Sequence, residues 1–234
     1  MPRGRYVLYW MQASQRVEYN HALEYTIETA NDLRLPLVVF FGITDRFPNA
    51  NRRHYAFMLE GLGEVQDALK QRGIHFVLRH VSPELGVLDL AHEASCVVVD
   101  QGYLRIQRAW YDHVAQRINC PLLQVESNVV VPTALVSNKE EYAARTIRPK
   151  IHRLLSDYLR PLAERSPLIP STGLDIETLH LSSIPEQLAR LAIDHNVDQV
   201  AGFIGGTSQA KARLRDFIEH KLERYADLRN DPSL

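Results

Sequence analysis

The sequence predicts an α/β fold built on a five-stranded parallel, doubly wound sheet with helices on both faces. Three observations support this prediction. Five short and almost uninterrupted apolar runs are typical of strands that are buried on both faces, as parallel strands are. Four amphipathic segments of helical period separate these runs. The strict alternation of strand and helix makes neighbouring strands parts of right-handed crossover units.

The first strand covers residues 6–10, whose aromatic, aliphatic and β-branched side chains favour a buried strand. It ends abruptly at residues 11–16, which are polar or flexible and have no helical period. An amphipathic helix over residues 19–34 follows, with carboxylates on its outer face. The first strand therefore ends in an irregular loop, and in open α/β sheets such loops bind ligands.

The same pattern recurs along the next 90 or so residues. A second strand begins after Pro36 and ends at Gly42, and Gly73 and Pro83 mark a helix end and a helix start. The further predicted strands are residues 74–78, 96–100 and 121–125, and the further helices are residues 52–72, 83–94 and 105–118. With a strand order of 3-2-1-4-5, the topological switch point would lie between the first and fourth strands.

The alternation stops beyond residue 132. We expect three parts: an α/β domain over residues 1–132, short helices and an inter-domain linker over 133–184, and helices leading into a further domain over 185–234. The short helices are predicted at residues 138–144 and 147–159, the surface linker at 161–183, and the last two helices at 185–195 and 208–225. Pro149 would lie near the start of its helix, where proline is tolerated.

Composition limits the class of protein. The net charge of −1 gives no bulk attraction to nucleic acid or to anionic membranes. No apolar run approaches the ~18 residues that a membrane span needs, and no signal-peptide pattern is present. Cys96 and Cys120 lie in no metal-binding pattern, and we expect them to be reduced. These features predict a cytoplasmic protein without a membrane partner.

The usual catalytic and phosphate-binding patterns are missing. The first strand is followed by no GxGxxG, and the chain has no GxxxxGK[ST], no Ser-Gly-Gly loop and no GxSxG. The glycines at Gly202, Gly205 and Gly206 follow no strand, so a flexible hinge is favoured there. The ten histidines show neither HxH nor HExxH spacing, so no metal site is predicted.

A crevice without a reactive group is left at the carboxyl edge of the sheet. Its aromatic faces, thioether and amide suit a flat heteroaromatic ligand that is held and not transformed. Trp10 and Tyr103 could instead simply pack, and Asp100 could cap the loop at Gly102 instead of facing a ligand. The candidate cofactor-binding residues are Trp10, Met11, Gln12, Gly42, Asp100, Gly102 and Tyr103.

Two stretches carry many basic residues. The first is locally positive and could border a nucleic-acid surface or anchor an inter-domain interface; it contains Arg145, Arg148, Lys150, Arg153 and Arg160. The second, residues 211–229, alternates in sign and favours a solvated, salt-bridged helix face.

Several stretches together resemble the photolyase/cryptochrome family, and most closely its class II cyclobutane pyrimidine dimer photolyases. They follow the family's order along the whole chain. The matching stretches are Tyr9–Gln12 with Ser14–Arg16, Tyr19–Tyr25, His54–Leu62, Val99–Arg105, Glu141–Ile151 and Arg229–Leu234.

The resemblance implies an enzyme that uses light and reduced FAD to split pyrimidine dimers in DNA by electron transfer. It also implies a Rossmann-like N-terminal domain, often with an antenna pigment such as a deazaflavin or a folate, and a helical domain that holds the flavin and the lesion. We expect this chain to end where the flavin-binding stretch would begin. No catalytic residue is therefore assigned, and the chain alone is not expected to repair DNA.

The expected partners are the FAD-binding helical domain, in cis or in trans, and UV-damaged DNA through that domain, with neither a membrane nor a metal. Two other interpretations stay open. One is a nucleotide-binding α/β domain of another enzyme. The other is a stand-alone interaction module, derived from a photolyase, that docks a helical partner through its last two helices.

Overall fold

The computed structural model describes residues 4–231, so residues 232–234 of the last matching stretch lie outside it. The chain divides into two compact units. The first unit runs up to Thr44 and resumes at Gln66–His180, and the second consists of Asp45–Val65 and the chain from Leu181 onwards. The predicted boundaries at residues 132 and 184 stay a prediction.

The first unit contains the sheet, and all of the strand pairs in that sheet are parallel. The strand order is β3-β2-β1-β4-β5, which confirms the predicted fold class and places the switch point between β1 and β4. The strands are β1 (Tyr6–Trp10), β2 (Leu37–Ile43), β3 (His75–His80), β4 (Ala94–Asp100) and β5 (Leu122–Val125). The helices of this region are α1 (His21–Leu33), α2 (Arg52–Gln71), α3 (Pro83–Ala91), α4 (Arg105–Ala115), α5 (Thr133–Val136) and α6 (Ala144–Tyr158).

The three central strands are buried along their whole length, as their continuous apolar runs predict. Trp10 stands opposite Phe40 of β2 and Val99 of β4, so the three side chains share one face of the sheet. They belong to a core cluster that also takes side chains from α3 and α4. This packing fixes the positions of the ends of β1 and β4 relative to each other at the carboxyl edge of the sheet.

A hydrogen-bonded cap sets the start of α1. Asn20 has an extended backbone conformation, and its side-chain oxygen accepts the N–H of Leu23 at 3.0 Å. The helix therefore begins at His21, two residues later than its periodicity predicts. Asn20 is fully buried, so the cap also faces the sheet.

Beyond β5 the predicted short helix at residues 138–144 is wrong. Glu141 accepts hydrogen bonds from Ser137 Oγ at 2.7 Å and from Lys150 Nζ, and these bonds, led by that from Lys150, lower the pKa of Glu141 to about 2. The contacts of Glu141 with residues four and nine positions away thus hold this stretch out of a helix. The helix α6 starts at Ala144, so Pro149 lies in its interior and not near its start, on an exposed side of the helix.

A buried carboxylate anchors the start of the linker in the first unit. Glu24 of α1 pairs with Arg72 at 2.8 Å and accepts the backbone N–H of Arg165 at 2.6 Å. Arg72 also donates to the Arg165 carbonyl at 2.6 Å. The linker is therefore fixed to α1 at the point where it leaves the helical region.

The linker then follows β3. Ser171 N–H donates to the Gly73 carbonyl at 2.9 Å, and its hydroxyl accepts the N–H of His75 at 2.7 Å. Further along, Thr178 Oγ1 accepts the N–H of Leu78 at 2.9 Å, and Leu179 N–H donates to the Leu78 carbonyl at 2.8 Å. The linker is thus an ordered part of the first unit.

The second unit contains the first turns of α2 together with α7 (Ile184–Ala189), α8 (Thr207–His220) and α9 (Tyr225–Leu228). Its last helices are shorter than the periodicity predicts. Two carboxylates of α2, Glu60 and Glu64, accept the backbone N–H groups of Gly205 at 2.7 Å and of Ser208 at 2.9 Å. The glycine-containing loop is therefore bound to α2 in this unit.

A Cβ atom on Gly205 would overlap the carbonyl oxygen of Phe57 in α2. Gly206 has φ +124°, a backbone conformation that L side chains rarely adopt. Close approach to the α2 backbone thus requires glycine at position 205, and the backbone conformation requires it at position 206; the hinge interpretation included neither reason. Among the described residues, no helix is both long and apolar enough to cross a bilayer.

Candidate functional site

The candidate site lies where β1 and β4 end side by side at the carboxyl edge of the sheet. Asp100, the last residue of β4, is buried, and its carboxylate accepts three hydrogen bonds. Tyr9 OH donates to Oδ1 at 2.8 Å, and the backbone N–H groups of Gln12 and Ser14 donate to Oδ2 at 2.9 and 3.0 Å. The carboxylate therefore fixes the loop that follows β1.

A second layer of hydrogen bonds supports this loop. Asn20 Nδ2 donates to Tyr9 OH at 3.0 Å and to the carbonyls of Ser14 and Arg16 at 3.1 and 2.9 Å. Tyr111 OH donates to the Asp100 carbonyl at 2.7 Å. One network thus ties together the ends of both strands and the start of α1.

Burial and charge set the protonation of this network. Burial raises the pKa of Asp100, while the hydrogen bonds from Ser14, Gln12 and Tyr9 act in the opposite direction. The pKa of Tyr9 is raised well above its ordinary value by burial and by the Asp100 charge. Tyr9 therefore stays a protonated hydrogen-bond donor at neutral pH and is not suited to act as an acid or a base.

Trp10 and Gln12 combine burial with unpartnered polar atoms. Trp10 is fully buried and meets the Tyr111 ring edge to face, with ring centroids 5.7 Å apart. The Gln12 side chain is buried, at 7% exposure. Within residues 4–231, neither its amide oxygen and nitrogen nor Trp10 Nε1 has a hydrogen-bond partner. A buried amide costs free energy unless a bound water or a ligand pairs with it, so these atoms mark a place where such a group can bind.

The other predicted site residues are arranged as follows. Met11 is fully buried. A Cβ on Gly42 would lie 2.8 Å from Pro83 Cα, and one on Gly102 would lie 2.6 Å from Tyr111 OH, so both glycines permit close packing. Tyr103 is half exposed and donates its hydroxyl to Glu126, which also binds Thr133. The contacts of Tyr103 lead towards the loop after β5.

Sequence reasoning missed the residues that hold the loop, namely Tyr9, Ser14, Asn20 and Tyr111. The signal for Asn20 was available, because an asparagine just before an amphipathic segment indicates an N-cap. The part of the chain that the structure describes contains no group of three or more His, Cys, Asp or Glu side chains that could hold a metal ion.

Comparison with known proteins identifies relatives of this chain. The family model described as DNA photolyase matches residues 7–168. The deoxyribodipyrimidine photo-lyase of Methanothermobacter thermautotrophicus is 46% identical over 230 residues, which cover 98% of this chain and 51% of that protein. The enzyme of the same name from Potorous tridactylus is 33% identical, covering 97% of this chain and 43% of that protein. The chain thus spans about half the length of these curated relatives.

Two solved structures share the fold. A Synechocystis cryptochrome superposes with a TM-score of 0.77 at 14% identity, covering 96% of this chain and 49% of that one. A photolyase from Sulfolobus tokodaii gives a TM-score of 0.64 at 15% identity, covering 91% of this chain and 47% of that one. The family model and the curated relatives, together with this fold, show that the chain belongs to the DNA photolyase family.

Proposed function

We propose that this chain forms the N-terminal α/β part of a light-dependent DNA repair enzyme, a class II deoxyribodipyrimidine photolyase that splits cyclobutane pyrimidine dimers with reduced FAD. The observation that carries the proposal is the 46% identity to a deoxyribodipyrimidine photo-lyase along nearly the whole chain. The class II assignment rests on the motifs of Tyr9–Gln12, Val99–Arg105 and Glu141–Ile151. A cytoplasmic location belongs to the same proposal.

In this proposal a helical domain, in cis or in trans, holds the FAD and the DNA lesion. An apolar stripe along α8 and the turn that follows it supports such a partner. Leu214 and Ile218 lie four residues apart on α8, Leu222 lies two residues past its end, and each is about half exposed. A contiguous exposed apolar face of this kind indicates a protein partner. The same stripe favours a second candidate, a stand-alone module that binds a separate helical protein.

The experiment that tests the repair function joins this chain to the remaining half of the Methanothermobacter relative. We expect the fusion, loaded with reduced FAD and illuminated, to restore thymines in an oligonucleotide that contains a pyrimidine dimer. The same fusion in the dark and the chain alone in the light should leave the dimer intact. A fusion that binds FAD without repairing in the light would contradict the proposal, and so would repair by the chain alone.

We further propose an antenna pigment, a deazaflavin or a folate, at the carboxyl edge between β1 and β4. The unpartnered amide of Gln12 supports this proposal, because it offers one donor and one acceptor to a heteroaromatic ring system. The Sulfolobus tokodaii photolyase was solved with two FAD molecules, which imply a novel light-harvesting cofactor in that protein. A bound pigment would supply light absorption and transfer of excitation energy.

The residues of this chain would contribute position and shape. Gln12 would orient the ring through its amide, and Trp10 Nε1 would add one donor. Asp100 would act on the loop and not on the pigment, because its carboxylate is occupied by three donors from the protein. None of these roles requires an acid, a base or a nucleophile, which fits a pigment that is held without reacting.

Replacing Gln12 should separate ligand binding from folding. We expect saturating deazaflavin or folate to raise the melting temperature of the wild-type chain. At a ligand concentration of ~100 Kd, the free energy of unfolding should increase by about 2.7 kcal/mol. Gln12→Met should lose this shift. Without ligand, the variant should be as stable as the wild type or more stable, since burying an unpartnered amide costs about 1–3 kcal/mol.

The matched control is Gln116→Met, because Gln116 is exposed at the end of α4. It should bind the pigment as the wild type does. The pigment assignment fails if neither compound changes the melting temperature or the absorption spectrum. Stabilisation by ATP in place of either pigment would instead favour a nucleotide-binding domain.

A further inference from the structure

The exposed face of α6 carries a row of arginines. Arg145, Arg148 and Arg153 are all exposed, whereas Ile147 and Ile151 on the opposite side are partly buried. At 100° per residue the three arginines lie within one side of the helix, and they span about 12 Å along its axis. We call these three residues the α6 arginine row. The sequence of α6 holds a single carboxylate, Asp157, near its end.

The arginine row is not neutralised by the protein. Among the described residues, none of the three guanidinium groups forms an ion pair or a side-chain hydrogen bond. The other cation of the helix, Lys150, differs because it pairs with Glu141. Lys150 is thus used in an ion pair within the protein, whereas the α6 arginine row is available to a ligand.

An exposed aromatic ring lies at the start of the same helix. Tyr142 is 79% exposed and precedes α6 by two residues. No ring contact or hydrogen bond of its side chain occurs within residues 4–231. Leaving a large apolar ring in water is unfavourable, so a partner that covers it would gain free energy.

We propose that the α6 arginine row and Tyr142 form a nucleic-acid contact, in which the arginines bind backbone phosphates and the tyrosine stacks on an unpaired base. A guanidinium group binds a phosphate through two parallel hydrogen bonds, and one strand carries a phosphate about every 3.4 Å of its rise. Several phosphates can therefore lie along the 12 Å or so of the row. Positive side chains beside an exposed aromatic ring are the combination that single strands bind.

The identity of the physiological ligand, DNA flanking the lesion, rests on the proposed function. The nucleic-acid contact itself does not. The net charge of the chain is −1, so the attraction has to come from this local surface and not from the protein as a whole. An acidic protein surface is the competing partner for the arginines. The comparison with polyglutamate and the effect of Tyr142→Ala on single-strand binding distinguish the two partners.

The test measures binding of undamaged, fluorescently labelled oligonucleotides by anisotropy, in the dark and without flavin, over a series of salt concentrations. The combined variant Arg145→Gln/Arg148→Gln/Arg153→Gln should bind at least tenfold more weakly at low salt. The negative slope of log K against log salt should become shallower by about 2–3, because each of the three lost phosphate contacts removes ~0.7–0.9. Tyr142→Ala should weaken single-strand binding about fivefold or more and leave duplex binding unchanged.

The control variant Arg5→Gln/Arg79→Gln/Lys221→Gln removes the same charge from cations that already pair with carboxylates. It should bind as the wild type does, and thermal melts should show that all variants remain folded. The proposal is overturned if the wild type does not bind DNA, if both triple variants lose affinity equally, or if polyglutamate binds as tightly as DNA. None of these measurements uses light, FAD or a pigment, so failure here and failure of the repair function can be told apart.

Discussion

Asp100→Ala is expected to destabilise the chain by about 3 kcal/mol or more, because it removes the one acceptor that three buried donors share. The substitution leaves the N–H groups of Gln12 and Ser14 and the hydroxyl of Tyr9 without their acceptor. Each buried donor without a partner costs about 1–3 kcal/mol. Urea unfolding followed by circular dichroism measures the loss.

Two variants show whether the network causes this loss. Tyr9→Phe removes one of the three donors and should cost about 1–2 kcal/mol. Asp112→Ala changes an exposed carboxylate of α4 and should stay within about 0.5 kcal/mol of the wild type. Amide exchange at Gln12 and Ser14 should accelerate in Asp100→Ala. Equal stability of the Asp100→Ala and Asp112→Ala variants would show that the carboxylate does not hold the loop.

Gly205→Ala is the second substitution with a large expected effect. Its new methyl group would overlap the Phe57 carbonyl oxygen, and the backbone of α2 cannot move aside as a flexible side chain could. The loop would have to leave α2 and give up the hydrogen bonds to Glu60 and Glu64. We expect a loss of about 3 kcal/mol in the second unit and rapid protease cleavage between residues 199 and 208.

Gly63→Ala provides the matched control for this substitution. Gly63 also lies in α2, but a Cβ added there meets no atom within 4 Å. The control should therefore raise stability by about 0.5–1 kcal/mol, because alanine favours helix more than glycine does. If the Gly205→Ala variant resists protease as well as the Gly63→Ala variant does, the loop does not need the close approach of Gly205 to α2, and the prediction is wrong.

The sheet could be predicted from the sequence because its signal is local. Strands buried on both faces need continuous apolar runs, and residues 37–43 or 94–100 have no other simple explanation. The strand order 3-2-1-4-5, which the prediction of the switch point took as a condition, is the one that the sheet has. Beyond β5 the local signal failed, since the ion pair between Glu141 and Lys150 holds residues that have an acceptable helical sequence out of a helix.

The candidate site could be predicted in position but not in detail. The ends of β1 and β4 meet as expected, and Asp100 and Gln12 lie there. The sequence left two roles open for Asp100, and neither was to accept N–H groups from the loop after β1. That role depends on how a loop far away in sequence is folded. The unpartnered amide of Gln12 is likewise a property of packing, and no pattern of residue types shows it.

The ordered linker has a consequence for how the sheet behaves in solution. β3 is an outer strand, and outer strands offer unpaired backbone groups to which other chains can add and aggregate. Ser171, Thr178 and Leu179 occupy such groups at His75 and Leu78. A fragment cut before residue 170 would uncover these groups, so shorter versions of this protein should keep the chain through His180 to protect the edge of the sheet from added strands.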